Sequence, residues 1–207
     1  MKLPLTRNLL DLDLLAMAKD TIRVSKLDAA RRQLRTAISL WFNGGDPVAI
    51  HTLAFASYEV LHYISEKRDP YRRDLIFDTF TVKDEYRRYW NQKVRKEANF
   101  FKHADRDGDS VIEFNTSLSE YFIFFAILAR SLCGETESDE ESAFLRWMHI
   151  NRPDLLLEQG KVSITNSLKA EDIEWIRTRP RSEFFDHFLQ ARRNVGTLNA
   201  RFSLPVD

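Results

Sequence analysis

An all-α fold, an antiparallel helical bundle with an N-terminal helical arm and a C-terminal helical appendage, is predicted by three observations. Apolar residues recur at the 3.6-residue spacing of an amphipathic helix along nearly the whole chain. The capping pair of a hydroxyl residue followed three positions later by an acid recurs three times, at Thr81/Asp84, Ser117/Glu120 and Ser138/Glu141. Only six Gly and six Pro occur in 207 residues, too few for a turn-dense β protein or a disordered chain.

The elements follow in order. Met1–Ala18 is leucine-rich but interrupted by Arg7, Asp11 and Asp13, so it reads as part of a helical arm over 1–25 and lacks the unbroken apolar core of a signal peptide. Ala30, Leu34, Ala37, Ile38 and Trp41 form one stripe and predict a helix over 26–43, with Trp41 in the core. Gly44-Gly45 stops it, and Asp46-Pro47 supplies an N-cap carboxylate and a first helical residue that needs no N–H. The next helix is apolar around most of its circumference (Ile50, Leu53, Ala54, Leu61 and Ile64 on one side; His51, Phe55, Tyr58 and His62 on another) and is therefore expected at the centre of the bundle. A charged, aromatic connection over 67–80 leads to a long helix expected to run from Asp84 to about Ala104. Further helices are expected over Tyr121–Leu132, Ala143–His149, 168–178 and 182–193, and Lys161–Thr165 alternates like a short strand. The bundle proper is assigned to 26–158 and the appendage to 159–207.

Charge and composition exclude several classes of function. Lys plus Arg equals Asp plus Glu at 31 each, so no global field draws the protein to a polyanion, and any nucleic-acid affinity must be local. Cys133 is the one cysteine, which excludes an internal disulfide partner and suits a reducing, cytoplasmic setting. The longest apolar run, Tyr121–Ala129, has nine residues, against the roughly twenty needed to span a bilayer. No membrane partner is expected. There is no phosphate loop, zinc pattern or nucleophile elbow, and no cofactor is expected.

Two clusters carry possible metal chemistry. Asp105, Asp107, Asp109 and Glu113 occupy positions one, three, five and nine of a calcium-loop pattern, with Phe101 one turn ahead and Ile112 at the hydrophobic eighth position. A hard cation wants such oxygens. Position six, however, is Ser110 rather than Gly, and position twelve is Thr116 rather than a bidentate Glu. An acidic helix–helix connection is the plainer reading. Glu59 and His62 form one Glu-x-x-His, half of a di-metal carboxylate site, without a second copy. His51 and His62 then read as satisfied polar members of an apolar helix. The basic clusters Arg31-Arg32, Arg72-Arg73, Arg87-Arg88 and Arg192-Arg193 read as solvated faces, although Tyr86-Arg87-Arg88-Tyr89-Trp90 also interleaves cations with rings that could stack and pair with RNA.

The order Ala29-Ala30-Arg31-Arg32-Gln33-Leu34, Gly45-Asp46-Pro47, His51-Thr52-Leu53-Ala54 and Glu59-Val60-Leu61, followed after a long connection by Asn99-Phe100-Phe101-Lys102-His103-Ala104-Asp105, resembles the HEPN superfamily of small helical bundles over about 26–150. The resemblance implies a homodimer and RNA as a partner, since many members cleave RNA through an Arg-x4–6-His motif. His103 matches the histidine and Asn99 a polar residue inside the motif. Positions 96–98 hold Lys96, Glu97 and Ala98, so Arg95 stands one residue outside the spacing. The resemblance assigns proton transfer to His103 and charge stabilisation to Arg95 or Lys102. A helix C-terminus accounts for a histidine at 103 equally well. Three functional expectations follow: an RNA- or nucleotide-binding HEPN-like bundle with metal-independent ribonuclease action, a non-catalytic homo-oligomeric interaction module, or a calcium-binding helical protein through residues 105–116.

Overall fold

The computed structural model describes residues 21–68, 76–77, 82–103, 108–153 and 168–195, and these contain eight helices and no strand. The first twenty residues of the expected arm, Asp105, Asp107 and the strand-like Lys161–Thr165 lie outside the described residues. We number the helices α1 (Lys26–Phe42), α2 (Pro47–Arg68), α3 (Asp84–Val94), α4 (Lys96–Phe100), α5 (Leu118–Leu132), α6 (Asp139–Asn151), α7 (Ala170–Thr178) and α8 (Arg181–Val195).

Local chemistry explains most boundaries. The Ser25 hydroxyl accepts from the Asp28 N–H at 3.0 Å and starts α1. Gly44 takes φ +68°, a left-handed conformation that ends the helix at little steric cost to glycine, and the Asp46 carboxylate accepts from the Ala49 N–H at 2.8 Å to open α2. At α6 the capping box is complete: the Glu141 N–H reaches the Ser138 hydroxyl at 3.3 Å, and the Ser138 N–H reaches the Glu141 carboxylate at 2.8 Å.

Two boundaries differ from expectation. Ser117 makes no side-chain cap, and Asn115 takes that part at α5, its side-chain oxygen accepting from the Ser117 N–H at 3.1 Å and its carbonyl from the Leu118 N–H at 3.1 Å. An Asx turn has displaced the hydroxyl cap. The long helix expected from Asp84 is broken at Arg95 into α3 and α4. No glycine or proline demands the break. It coincides with the residue whose side chain is tied to α2, and it separates α3, which buries no side chain, from α4, which buries Ala98.

The core is built on α1, α2, α5 and α6. Small residues on the α1–α2 contact, Ala30, Ala37, Ala54 and Ser57, are all fully buried, and the Ser57 hydroxyl donates to the Ala30 carbonyl at 2.9 Å. The start of α2 faces the start of α5 through His51 and Phe122, and its end faces the end of α5, where Arg68 donates to the Cys133 carbonyl at 2.6 Å. The two helices therefore run parallel, which the crossover through residues 69–117 makes possible. Arg31 pairs with Glu135, Arg35 with Glu140, and Trp41 packs on Phe144 and Trp147, so α6 runs along α1 in the same direction. The order is up-down-down-up, a bundle with one long crossover.

The C-terminal helices close one side. Phe185 stacks on Phe42 with ring centroids 4.3 Å apart, Arg181 lies over the Trp41 ring at 4.2 Å, and Arg192 reaches Asp139 at 2.8 Å. Phe184, Phe185 and Phe188 belong to the same buried cluster as the bundle core. α7 is fastened to the end of α6 by Arg177, whose guanidinium donates to the Ile150 carbonyl. No described helix is long and apolar enough to cross a membrane, and Cys133 is a buried free thiol.

Candidate nucleic-acid interface

α3 lies on the surface with none of its eleven side chains buried. Two side chains moor it. The Trp90 indole N–H donates to the Ile76 carbonyl at 2.8 Å, and Arg87 donates to the carbonyls of Val82 and Phe77 while pairing with Asp84 at 2.5 Å. Asn91 and Val94 are half-buried, Val94 against the core, whereas Tyr86 is 58% exposed, Tyr89 61% and the moored Trp90 38%. Tyr86, Tyr89, Trp90 and Lys93 are spaced i, i+3, i+4 and i+7, one stripe on a helix. The Lys93 ammonium sits 5.3 Å from the centre of the Tyr89 ring, and Arg88 is exposed on another face of the helix. Over residues 84–103 the sequence carries six Lys or Arg (87, 88, 93, 95, 96 and 102) against three acids (Asp84, Glu85 and Glu97), in a chain that is neutral as a whole.

The residues singled out for catalysis lie next along the chain, and the structure divides them. Arg95 forms an ion pair with Glu59 of α2, and its guanidinium carbon lies 4.0 Å from the centre of the Phe77 ring. Glu59 is thereby committed to Arg95 and not to a metal beside His62. Asn99 and His103 are both exposed, and the His103 N–H donates to the Asn99 carbonyl at 3.1 Å, so His103 closes the C-terminal turn of α4. That is where a histidine interacts favourably with a helix dipole. Lys102 is exposed with its ammonium 5.1 Å from the centre of the Phe55 ring. Within one chain the cation Arg95 is thus anchored inward while Asn99, Lys102 and His103 face solvent.

Beneath Lys102 lies a constellation that sequence reasoning did not assemble. His51 is fully buried among Phe55, Phe101, Phe114 and Phe122, with ring centroids 5.0–6.3 Å away. Its Nδ1 is 3.3 Å from the Ser119 hydroxyl, and its Nε2 has no hydrogen-bond partner, so the expectation of a satisfied histidine holds at one nitrogen only. Burial, with the nearby Lys102 charge as a smaller cause, pulls the imidazole pKa down to about 4. The ring is neutral at pH 7. Only the i, i+4 spacing of His51 and Phe55 was visible in the sequence; Ser119 and Phe114 are more than sixty residues away.

In the acidic loop, Asp109 and Glu113 are exposed, Val111 is 95% exposed, and Phe114 turns inward onto His51 and Phe101. Among the described residues no group of three or more His, Cys, Asp or Glu is placed to hold a metal ion. No protein-family model, no curated protein and no solved structure matches the chain.

Proposed function

We propose that this protein is a HEPN-like, RNA-binding helical bundle whose contact surface is the exposed face of α3 continued through Lys96, Lys102 and His103. The observation that carries the reading is the exposed stripe of Tyr86, Tyr89, Trp90 and Lys93 on a helix with no fully buried side chain, which touches the core only through the half-buried Val94. Solvent-facing rings stack on unpaired bases and flanking cations neutralise phosphates, the pairing of contacts that single-stranded nucleic acids select. A purely structural helix would turn its rings inward, where each aromatic side chain buries a large apolar area. The local excess of cations supplies an electrostatic component that the neutral chain as a whole lacks. Binding, rather than cleavage, is the activity the geometry favours, because Arg95 is engaged by Glu59 and Phe77.

The test is fluorescence anisotropy with a labelled twelve-nucleotide single-stranded RNA at several salt concentrations. Binding should weaken steeply with salt, and Tyr89→Ala should reduce affinity by roughly 1–3 kcal/mol of stacking. Lys93→Gln should lower the slope of log affinity against log salt by about one. Salt-insensitive binding, or affinity unchanged in both variants, would remove the reading. Sedimentation of the same samples addresses the homodimer that the resemblance implies.

A further inference from the structure

On the opposite margin of the α1–α2 pair, at the start of α1, the structure contains a cavity of about 230 Å³. Its wall carries four arginines, Arg31, Arg32 and Arg35 from α1 and Arg130 from α5, against two carboxylates, Asp28 and Glu141. We propose that this cavity binds the phosphoryl group of a small ligand, with Arg32 and Arg35 as the principal contacts.

Both carboxylates are already occupied by donors of the protein itself. Asp28 accepts from the Ser25 hydroxyl at 2.7 Å and pairs with Arg31, and these bonds hold its carboxyl down at about 2. Glu141 accepts from Arg130 on one oxygen and from the Ser138 N–H on the other. What the cavity retains is donors. Arg32 makes no ion pair with any described residue, and Arg35 touches Glu140 only at 3.6 Å through Nε, leaving both terminal nitrogens of its fork unengaged. Arg31 is divided between Asp28 and Glu135.

The second observation concerns the inner wall. Arg130 is 7% exposed, its terminal nitrogens donate to Glu141 and to the Thr136 carbonyl, and its Nε–H is buried with no partner. A buried guanidinium N–H without an acceptor is unfavourable. An anion drawn into the cavity places negative charge beside that fork. Planar guanidinium forks match the paired oxygens of a phosphoryl group, which favours phosphate over a monovalent ion of similar size. The cavity has room for the phosphoryl group and opens to solvent, so the ligand is phosphate itself or a phosphorylated small molecule whose remainder extends outward.

Calorimetry with inorganic phosphate and, separately, with AMP tests the assignment at constant ionic strength. At least one should bind saturably with a stoichiometry of one per chain. Arg32→Gln and Arg35→Gln, both solvent-facing changes on α1 whose folding circular dichroism would verify, should each weaken that binding about tenfold through loss of charge-assisted hydrogen bonds. Tighter binding of AMP than of phosphate identifies a phosphorylated organic ligand; equal binding identifies free phosphate. Tyr89→Ala should leave the titration unchanged, which separates this site from the α3 surface. The inference is overturned by heats no larger than those of matched sodium chloride, or by wild-type affinity retained in both arginine variants.

Discussion

The Ser119 hydroxyl lies 3.3 Å from Nδ1 of His51, and among the described residues it is the one polar side chain within hydrogen-bonding reach of that ring. A protonated imidazole would need an acceptor at each nitrogen, and Nε2 faces none. His51 therefore behaves as a neutral aromatic member of the Phe55–Phe101–Phe114–Phe122 cluster.

Acid should destabilise the fold through this residue. The folded-state pKa, about 4, lies below the ordinary histidine value of 6.5, so the unfolded chain takes up the proton first. The stabilising effect is complete above pH 6.5 and is lost as the pH falls from there to about 4, at up to about 1.4 kcal/mol per unit. Urea midpoints measured from pH 7.5 to 4 should fall for the wild type. His51→Phe should flatten the part of the curve between pH 6.5 and 4.5, where carboxylates contribute least. A curve unaltered by the substitution would show that another group governs acid sensitivity.

Arg130 and Glu141 form an ion pair with side chains only 8% and 3% exposed. Glu141→Ala removes the partner of a buried guanidinium and also one half of the α6 capping box. It should cost about 3–5 kcal/mol. Glu141→Gln keeps the cap geometry and should cost less. Thermal unfolding followed by circular dichroism ranks the three proteins; equal midpoints would mean that water replaces the carboxylate at no cost.

His103→Ala separates a structural histidine from a catalytic one. Because His103 closes the end of α4 and Arg95 is anchored to Glu59, purified wild-type protein is expected to leave RNA uncut in EDTA, and the substitution to cost at most about 1 kcal/mol. Cleavage by wild type that falls at least about a hundredfold in His103→Ala would establish the histidine as a proton-transfer group and reverse this expectation.

Local signals in the sequence carried the helices well. The stripe through Ala30, Leu34 and Ile38 placed Trp41 in the core, where it is 4% exposed and edge-on to Phe42, Phe144 and Trp147. Asp46-Pro47 and Ser138/Glu141 are caps written within four residues, and both are realised. Ser117/Glu120 has the same spelling and fails, because Asn115 two positions earlier competes for the same amides and Glu120 lies near Arg152 instead. The break at Arg95 coincides with its pairing to Glu59, thirty-six residues away, a contact that no local window along the chain reveals. For the same reason nothing along the sequence joins Arg31, Arg32 and Arg35 to Arg130. Only folding sets Arg130 and the start of α6 opposite them.

The surface position of α3 also sets a timescale. A helix with no fully buried side chain, and whose Asn91 side-chain oxygen is enclosed without a partner, is held by the Trp90 and Arg87 hydrogen bonds and by the Val94 contact with the core. Its amides should exchange with deuterium through local opening, far faster than those of α1 or α2, which open only when the whole bundle does. Among the four tryptophans, the indole N–H of Trp90 makes that opening visible by NMR: it leaves the Ile76 carbonyl when the helix detaches, so its hydrogen exchange reports both release from the scaffold and, if RNA holds the helix in place, the slowing of that release.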